Sequence, residues 1–290
     1  MKRPIQYLLS VVLTLLLVFT TAGSVALGIL QFRGLDATTC KQILAEKNLD
    51  ARVLENLTAY YTEQINTSGI PAEVYTKSLS VEQIKGIIAQ SIDNAFGYLH
   101  GTQDSVAVDA DFSLLEENLT AFFKQYAEEN GYQQDKAFEK SLQTAIDNAK
   151  TNVLTTADVF RFQTLYEAKV LTKLRPYVPW VGRGMLICIA SSVILLALLA
   201  LLHRKELKTL LYWAASALFT ASLLMLVPAA VIHFSRWFDR FAVKADQIFV
   251  AVTSYLYDLT ASVMIAGSVG IAIAIALWVG FWLLRRQKTV

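Results

Sequence analysis

The chain has 290 residues, 54% of them hydrophobic and only 17% charged, with a mean hydropathy of +0.42 and a net charge of +2. Soluble globular domains carry about 25% charged residues, so the charged fraction is low for an ordinary soluble protein, and the uneven placement of the charges is more informative than their total. Residues 31–183 hold 15 Lys and Arg against 20 Asp and Glu, so nothing there makes a basic footprint and nucleic acid is not expected as a partner.

The first element is the charge-free run Ile5–Leu30. It is long enough to cross a hydrocarbon core of roughly 30 Å at 1.5 Å per residue. Lys2-Arg3 ahead of it and Ser24-Val25-Ala26 within it also fit a secretory signal. The length of the apolar run predicts an uncleaved signal anchor over residues 1–30.

Residues 31–183 read as a series of amphipathic helices. Thr39 and Gln42 form a capping box ahead of Leu49, Val53, Leu57, Tyr60 and Tyr61, and Ser68-Gly69-Ile70-Pro71 ends that run. Ser80 and Gln83 open the next helix, whose stripe is Ile84, Ile87, Ile88, Ile92, Phe96 and Leu99, and Gly101 closes it. Ser113 with Glu116 is a third box before Leu115, Leu119, Phe122, Phe123 and Tyr126; Asn130-Gly131 is a stop. Phe138, Leu142, Ile146 and Val153 mark another helix. Phe160, Leu165, Val170 and Leu174 mark the last, ended by Pro176 and Pro179. Between them Ser105–Phe112 alternates Val106, Val108, Ala110 and Phe112 with Ala or Asp, which predicts a short extended segment. No βαβ alternation occurs, so no nucleotide-binding α/β fold is indicated.

Three more charge-free stretches follow: Gly184–Leu202, Thr209–Ile232 and Leu259–Leu284. The predicted class is therefore all-α, an integral membrane protein with four transmembrane helices and a helical extracytoplasmic domain. Residues 184–290 supply three of the helices. Orientation follows from the basic residues at the span ends. Lys2, Arg3, Arg204, Lys205, Lys208, Arg285, Arg286 and Lys288 face a single acid, Glu206, across the three segments that share one side. That side is predicted to be cytoplasmic, with both termini on it and residues 31–183 outside, in the cell membrane. Residues 31–183 hold 15 Lys and Arg against 20 Asp and Glu, a net of −5.

The connection 233–258 carries Phe234, Trp237, Phe238, Phe241, Ala245, Ile248, Phe249, Val252 and Leu256 at helical spacing. It is expected to be an amphipathic helix at the membrane surface, docked through Phe234, Trp237, Phe238 and Phe241. Anchoring of the span ends, or extension of spans three and four, are the other readings. In the fourth span Ala266, Gly270 and Ala274 recur every four residues, and Ala272, Ala276 and Gly280 lie on a neighbouring face. Small residues at that spacing allow close helix packing within the bundle, or self-association into a homo-oligomer.

Ile70-Pro71-Ala72-Glu73, and Tyr98-Leu99-His100-Gly101 ahead of an acidic segment, resemble uncharacterised bacterial membrane proteins. That group has one N-terminal span, a helical outer domain and three C-terminal spans. The resemblance implies the same plan and no particular activity.

Chemical motifs are sparse. Asp104, Asp109 and Asp111, near Ser113, offer oxygen ligands for a hard cation, but the EF-hand glycine and terminal glutamate are missing, and helix capping explains Asp111 and Ser113 as well. His100, His203 and His233 have no zinc-ligand spacing, and no nucleophile elbow or phosphate loop occurs. No metal and no cofactor is expected. Cys40 and Cys188 are placed on separate elements, so no disulfide between them is expected. Three short sequons, Asn56-Leu57-Thr58, Asn66-Thr67-Ser68 and Asn118-Leu119-Thr120, are taken as chance patterns. The expected function is non-enzymatic: the outer domain binds a protein, peptide or surface-polymer partner, as a sensor or scaffold beside the lipid bilayer. A transport or channel component, using Ser191, Ser192, Thr220 and Ser222, and an envelope enzyme using outer carboxylates are the alternatives.

Overall fold

A computed structural model describes residues 2–204 and 206–286. Lys205 and Lys288, two of the residues that orient the chain, lie outside them. The fold is all helical, 84% helix, with no strand among the described residues. In chain order the helices are α1 (Lys2–Ile29), α2 (Ala37–Glu46), α3 (Leu49–Ser68), α4 (Ala72–Thr76), α5 (Val81–His100), α6 (Ser113–Asn130), α7 (Lys136–Ala157), α8 (Phe162–Glu167), α9 (Val170–Leu174), α10 (Val178–Leu202), α11 (Leu207–Phe234) and α12 (Asp246–Arg286). A π-helical turn, Leu30–Gly34, follows α1, and 3-10 turns occupy Arg175–Tyr177 and Trp237–Arg240. Four helices, α1, α10, α11 and α12, are long and apolar enough to cross a membrane.

The chain divides into two compact units. One comprises residues 1–36, 177–241 and 255–290; the other comprises residues 37–176 and 242–254.

In the first unit α1 packs along α10 and α11. Leu17, Val18, Leu199, Ala217 and Ala221 are buried together there. Small residues bring α1 and α10 close: a Cβ at Gly23 would stand 3.2 Å from the Cys188 sulfur, and one at Gly184 would stand 3.2 Å from a Leu27 methyl. Polar groups on these helices find partners inside the unit. Ser192 Oγ donates to Thr20 Oγ1 (2.9 Å), and Gln6 Nε2 donates to the Leu202 carbonyl (2.8 Å). Arg33 forks onto both oxygens of Asp258, at 3.0 and 2.9 Å. Pro228 lies inside α11, which runs on past it to Phe234.

The second unit is built around α5, which packs against α2, α3, α7, α8 and α9. Its stripe is buried as the spacing predicts: Ile84, Ile87, Ile88, Ile92, Phe96 and Leu99 are all inside. Val53 and Leu57 of α3, Leu115 and Leu119 of α6, and Val153 and Ala157 of α7 complete the core. The first turns of α12 belong here. Arg52 pairs with Asp246 at 3.0 Å, Asn56 Nδ2 donates to Gln247 Oε1 at 2.9 Å, and Ala251 is fully buried.

Several boundaries differ from the sequence expectation, each for a local reason. Ser80 does cap α5, accepting from the Gln83 amide at 3.1 Å, and Gly101 and Gly131 end α5 and α6 in the left-handed region. The first box does not form, because α2 starts at Ala37 and places Thr39 inside its first turn. Asn48, at φ 49°, then separates α2 from α3. The third box is replaced: Phe112 holds the N-cap position, the Ser113 amide donates to Asp111 Oδ1 (2.9 Å), and Glu116 pairs with Lys150. Lys169, at φ 59°, splits the last expected helix into α8 and α9. Pro179 does not end a helix; it sits in the first turn of α10, where its missing N–H costs nothing. Residues 233–258 are not one helix. Arg236, at φ 49°, breaks the chain after α11, and the aromatic stripe is divided between the 3-10 turn and the start of α12.

A candidate binding cleft beside an unpaired extended segment

The C-terminus of α7 and the start of α8 are joined by a tight connection whose geometry is set by Asp158. Asp158 is 8% exposed. Oδ1 accepts from the Phe162 amide (2.8 Å) and Oδ2 from the Gln163 amide (2.9 Å); the Ser91 hydroxyl of α5 approaches Oδ1 at 3.5 Å. A carboxylate over the free amides of a helix start is the favourable arrangement for α8. Arg161 takes the left-handed conformation, φ 57°, and donates to the Thr155 carbonyl at 3.2 Å.

Against this corner runs the segment 105–112. It has no regular structure, but its side chains alternate. Val106 and Phe112 are buried and Val108 and Ala110 half-buried, while Ala107, Asp109 and Asp111 are exposed. Two donors from α5 hold it. Asn94 Nδ2 donates to the Ala107 carbonyl (2.6 Å), and Gln83 Nε2 donates to the Asp111 carbonyl (2.7 Å). Between the segment, α7 and α8 lies a cleft of about 380 Å³, lined by Val106, Val108, Leu154, Asp158 and Arg161 with threonines 151, 155 and 164. That volume is in the range of ligand clefts.

A second cleft, about 410 Å³, opens between α3 and α7. Tyr61 and Tyr75 stack there with ring centroids 3.9 Å apart, Asn152 Nδ2 donates to the Tyr60 hydroxyl at 3.4 Å, and no charged side chain lines it. Burial pushes the Tyr75 hydroxyl up to about 12 and that of Tyr61 further still.

The other residues singled out from sequence fall as follows. Asp111 is spent on capping, and hydrogen bonds from Ser113 hold its carboxyl below the usual carboxylate range. Asp104 faces Arg175 at 3.6 Å. No group of three or more His, Cys, Asp or Glu side chains converges among the described residues. His100 ends α5, His233 lies in the last turn of α11, and His203 follows α10 with Nε2 2.8 Å from Ser10 Oγ. Burial keeps the His203 imidazole below its ordinary pKa. Both cysteines remain thiols. Phe238 packs on Tyr257 (5.1 Å) and Phe241 (5.6 Å), Arg240 lies 5.3 Å over the Trp237 ring, and Phe234 is 76% exposed. Gly270 and Ala274 are buried and Ala266 is half-buried, whereas Ala272 and Ala276 are exposed.

Sequence reasoning marked residues 105–112 as extended; the structure gives them no regular element but keeps the alternation of buried and exposed side chains, and the cleft beside them was missed. Its walls come from positions some fifty residues apart, and no local pattern announces Asp158 as the group that fixes the corner. No protein-family model, no curated protein and no solved structure matches the chain.

Proposed function

We propose that this chain is a multi-pass protein of the cell membrane, with both termini cytoplasmic, whose helical domain lies outside and binds a protein or peptide partner. The cleft beside residues 105–112 carries this reading. It is a concave surface in which Val106, Val108 and Leu154 stand among fixed polar groups, including Asp158 and three threonines, a mixed lining that suits a peptide. Asp158 and Arg161 are engaged in holding the corner, and the exposed Glu167 accepts from Gln163 Nε2 at 2.9 Å, which favours binding over catalysis. The transport reading is less well supported, because the hydroxyls of Thr20 and Ser192 are hydrogen-bonded to each other.

Two measurements test the proposal. Cysteines introduced at Glu82 and at Arg204, in a chain lacking Cys40 and Cys188, are expected to label oppositely with an impermeant thiol reagent on sealed cells; equal labelling rejects the orientation. A photo-crosslinking residue at Thr155, on the rim of the cleft, is expected to trap a partner in cells, while one at exposed Gln143 on the same helix is not. Equal adducts at both positions, or none at either, reject the cleft as the binding surface.

A further inference from the structure

The backbone of residues 105–112 has spent its hydrogen bonds on one edge only. In an extended chain successive residues direct their N–H and C=O groups to opposite edges, and successive side chains to opposite faces. The Ala107 and Asp111 carbonyls, both odd-numbered, accept from α5, and the Ala107 amide donates locally to Ser105 Oγ at 3.1 Å. The even-numbered residues Val106, Val108 and Ala110 face the other way. Among the described residues none of their backbone N–H or C=O groups has a hydrogen-bond partner. Val106 is only 3% exposed, and buried main-chain groups are rarely left unpaired. Val106 and Val108 also line the cleft.

We infer that this edge receives an extended peptide segment of a partner protein, which adds as a strand along Val106, Val108 and Ala110. The inference rests on the binding role proposed above and names its ligand class. Strand addition supplies main-chain hydrogen bonds for affinity, and alternate side chains supply specificity. The partner residues opposite the even positions point into the cleft, toward Leu154 and the threonines, and are small or β-branched. Those opposite the odd positions meet Asp109 and Asp111, both exposed, and are Lys or Arg, since opposite charges across a strand pair are favourable. The net charge of −5 over residues 31–183 agrees with a basic segment.

The test is an array of acetylated, amidated heptapeptides randomised at every position, probed with the intact chain in mild detergent. Retained peptides are expected to alternate Lys or Arg with Val, Ile or Thr. N-methylating the peptide amides that face the edge is expected to weaken binding about tenfold or more, and N-methylating the intervening amides is not. Val108→Pro removes an edge donor and is expected to have the same effect. The N-methylated peptides give the answer even if that variant folds poorly. Binding that tolerates N-methylation at every position overturns strand addition while leaving the cleft a binding site. No retained peptide overturns the peptide ligand, and the adduct at Thr155 then decides the binding role separately.

Discussion

Asp158→Ala is expected to lower the stability of the intact chain by roughly 2–4 kcal/mol. The substitution removes a helix cap and leaves the Phe162 and Gln163 amides without their acceptor. Losing a cap costs typically about 1 kcal/mol, and the half-buried Phe162 amide left unsatisfied adds about 1–3 kcal/mol, while Gln163 is exposed and its amide is rehydrated. Asp158→Asn retains one acceptor oxygen but turns an NH2 toward one of the two amides, so about half of the loss is expected. Denaturant unfolding of the detergent-solubilised chain, followed by helical circular dichroism, measures both. A change below about 0.5 kcal/mol for Asp158→Ala, the range of an ordinary surface substitution, means that the carboxylate does not hold the corner.

Gly267→Ala is expected to cost roughly 1–3 kcal/mol, the usual penalty of overpacking. Its new Cβ would stand 2.9 Å from Leu226 Cβ and 3.2 Å from the Ser222 carbonyl oxygen, atoms that move only with the backbone of α11. Gly270→Ala also clashes, but differently: the nearest atom, 2.1 Å away, is the Ser222 hydroxyl, which a rotation of that side chain can move, with Ser222 Cβ behind it at 3.2 Å. Removing the hydroxyl with Ser222→Ala is therefore expected to restore much of the stability lost in Gly270→Ala and none of that lost in Gly267→Ala. A double-mutant cycle read by thermal unfolding separates the two. Additive effects of Ser222→Ala and Gly270→Ala argue that α12 meets α11 elsewhere.

The glycine pair shows what was legible in the sequence. The four-residue spacing of Ala266, Gly270 and Ala274 marked one face of α12, on which Gly270 and Ala274 are buried and Ala266 is half-buried. Gly267, one position along, makes the contact with backbone and carries no periodic signal of its own. Caps were legible where the chemistry is local: Ser80 needs only the amide three residues on, and Gly101 and Gly131 supply left-handed backbone without strain. Helix breaks at Asn48, Arg161, Lys169 and Arg236 were not legible. Asparagine takes left-handed backbone readily, but at Arg161, Lys169 and Arg236 that conformation costs about 1–2 kcal/mol each, and long basic side chains carry no local signal for it. The same cause divided the stripe running from Phe234 to Leu256. Its spacing is helical throughout, but Arg236 interrupts the helix that the spacing implies.

The half-paired edge at residues 105–112 also bears on solubility. A strand edge with free amides is a template for a second copy of the same chain, and proteins guard such edges with charge. Here the guard is built into the alternation. If two copies paired through Val106, Val108 and Ala110 in antiparallel register, Asp109 and Asp111 of one would lie on the same face as Asp109 and Asp111 of the other. Carboxylates directly opposite one another repel. Salt that shortens the Debye length from about 10 Å at 0.1 M to about 3 Å at 1 M removes much of that repulsion. The two aspartates proposed above to meet a basic segment thus also keep like edges apart, and aggregation through this segment is expected at high ionic strength rather than at low.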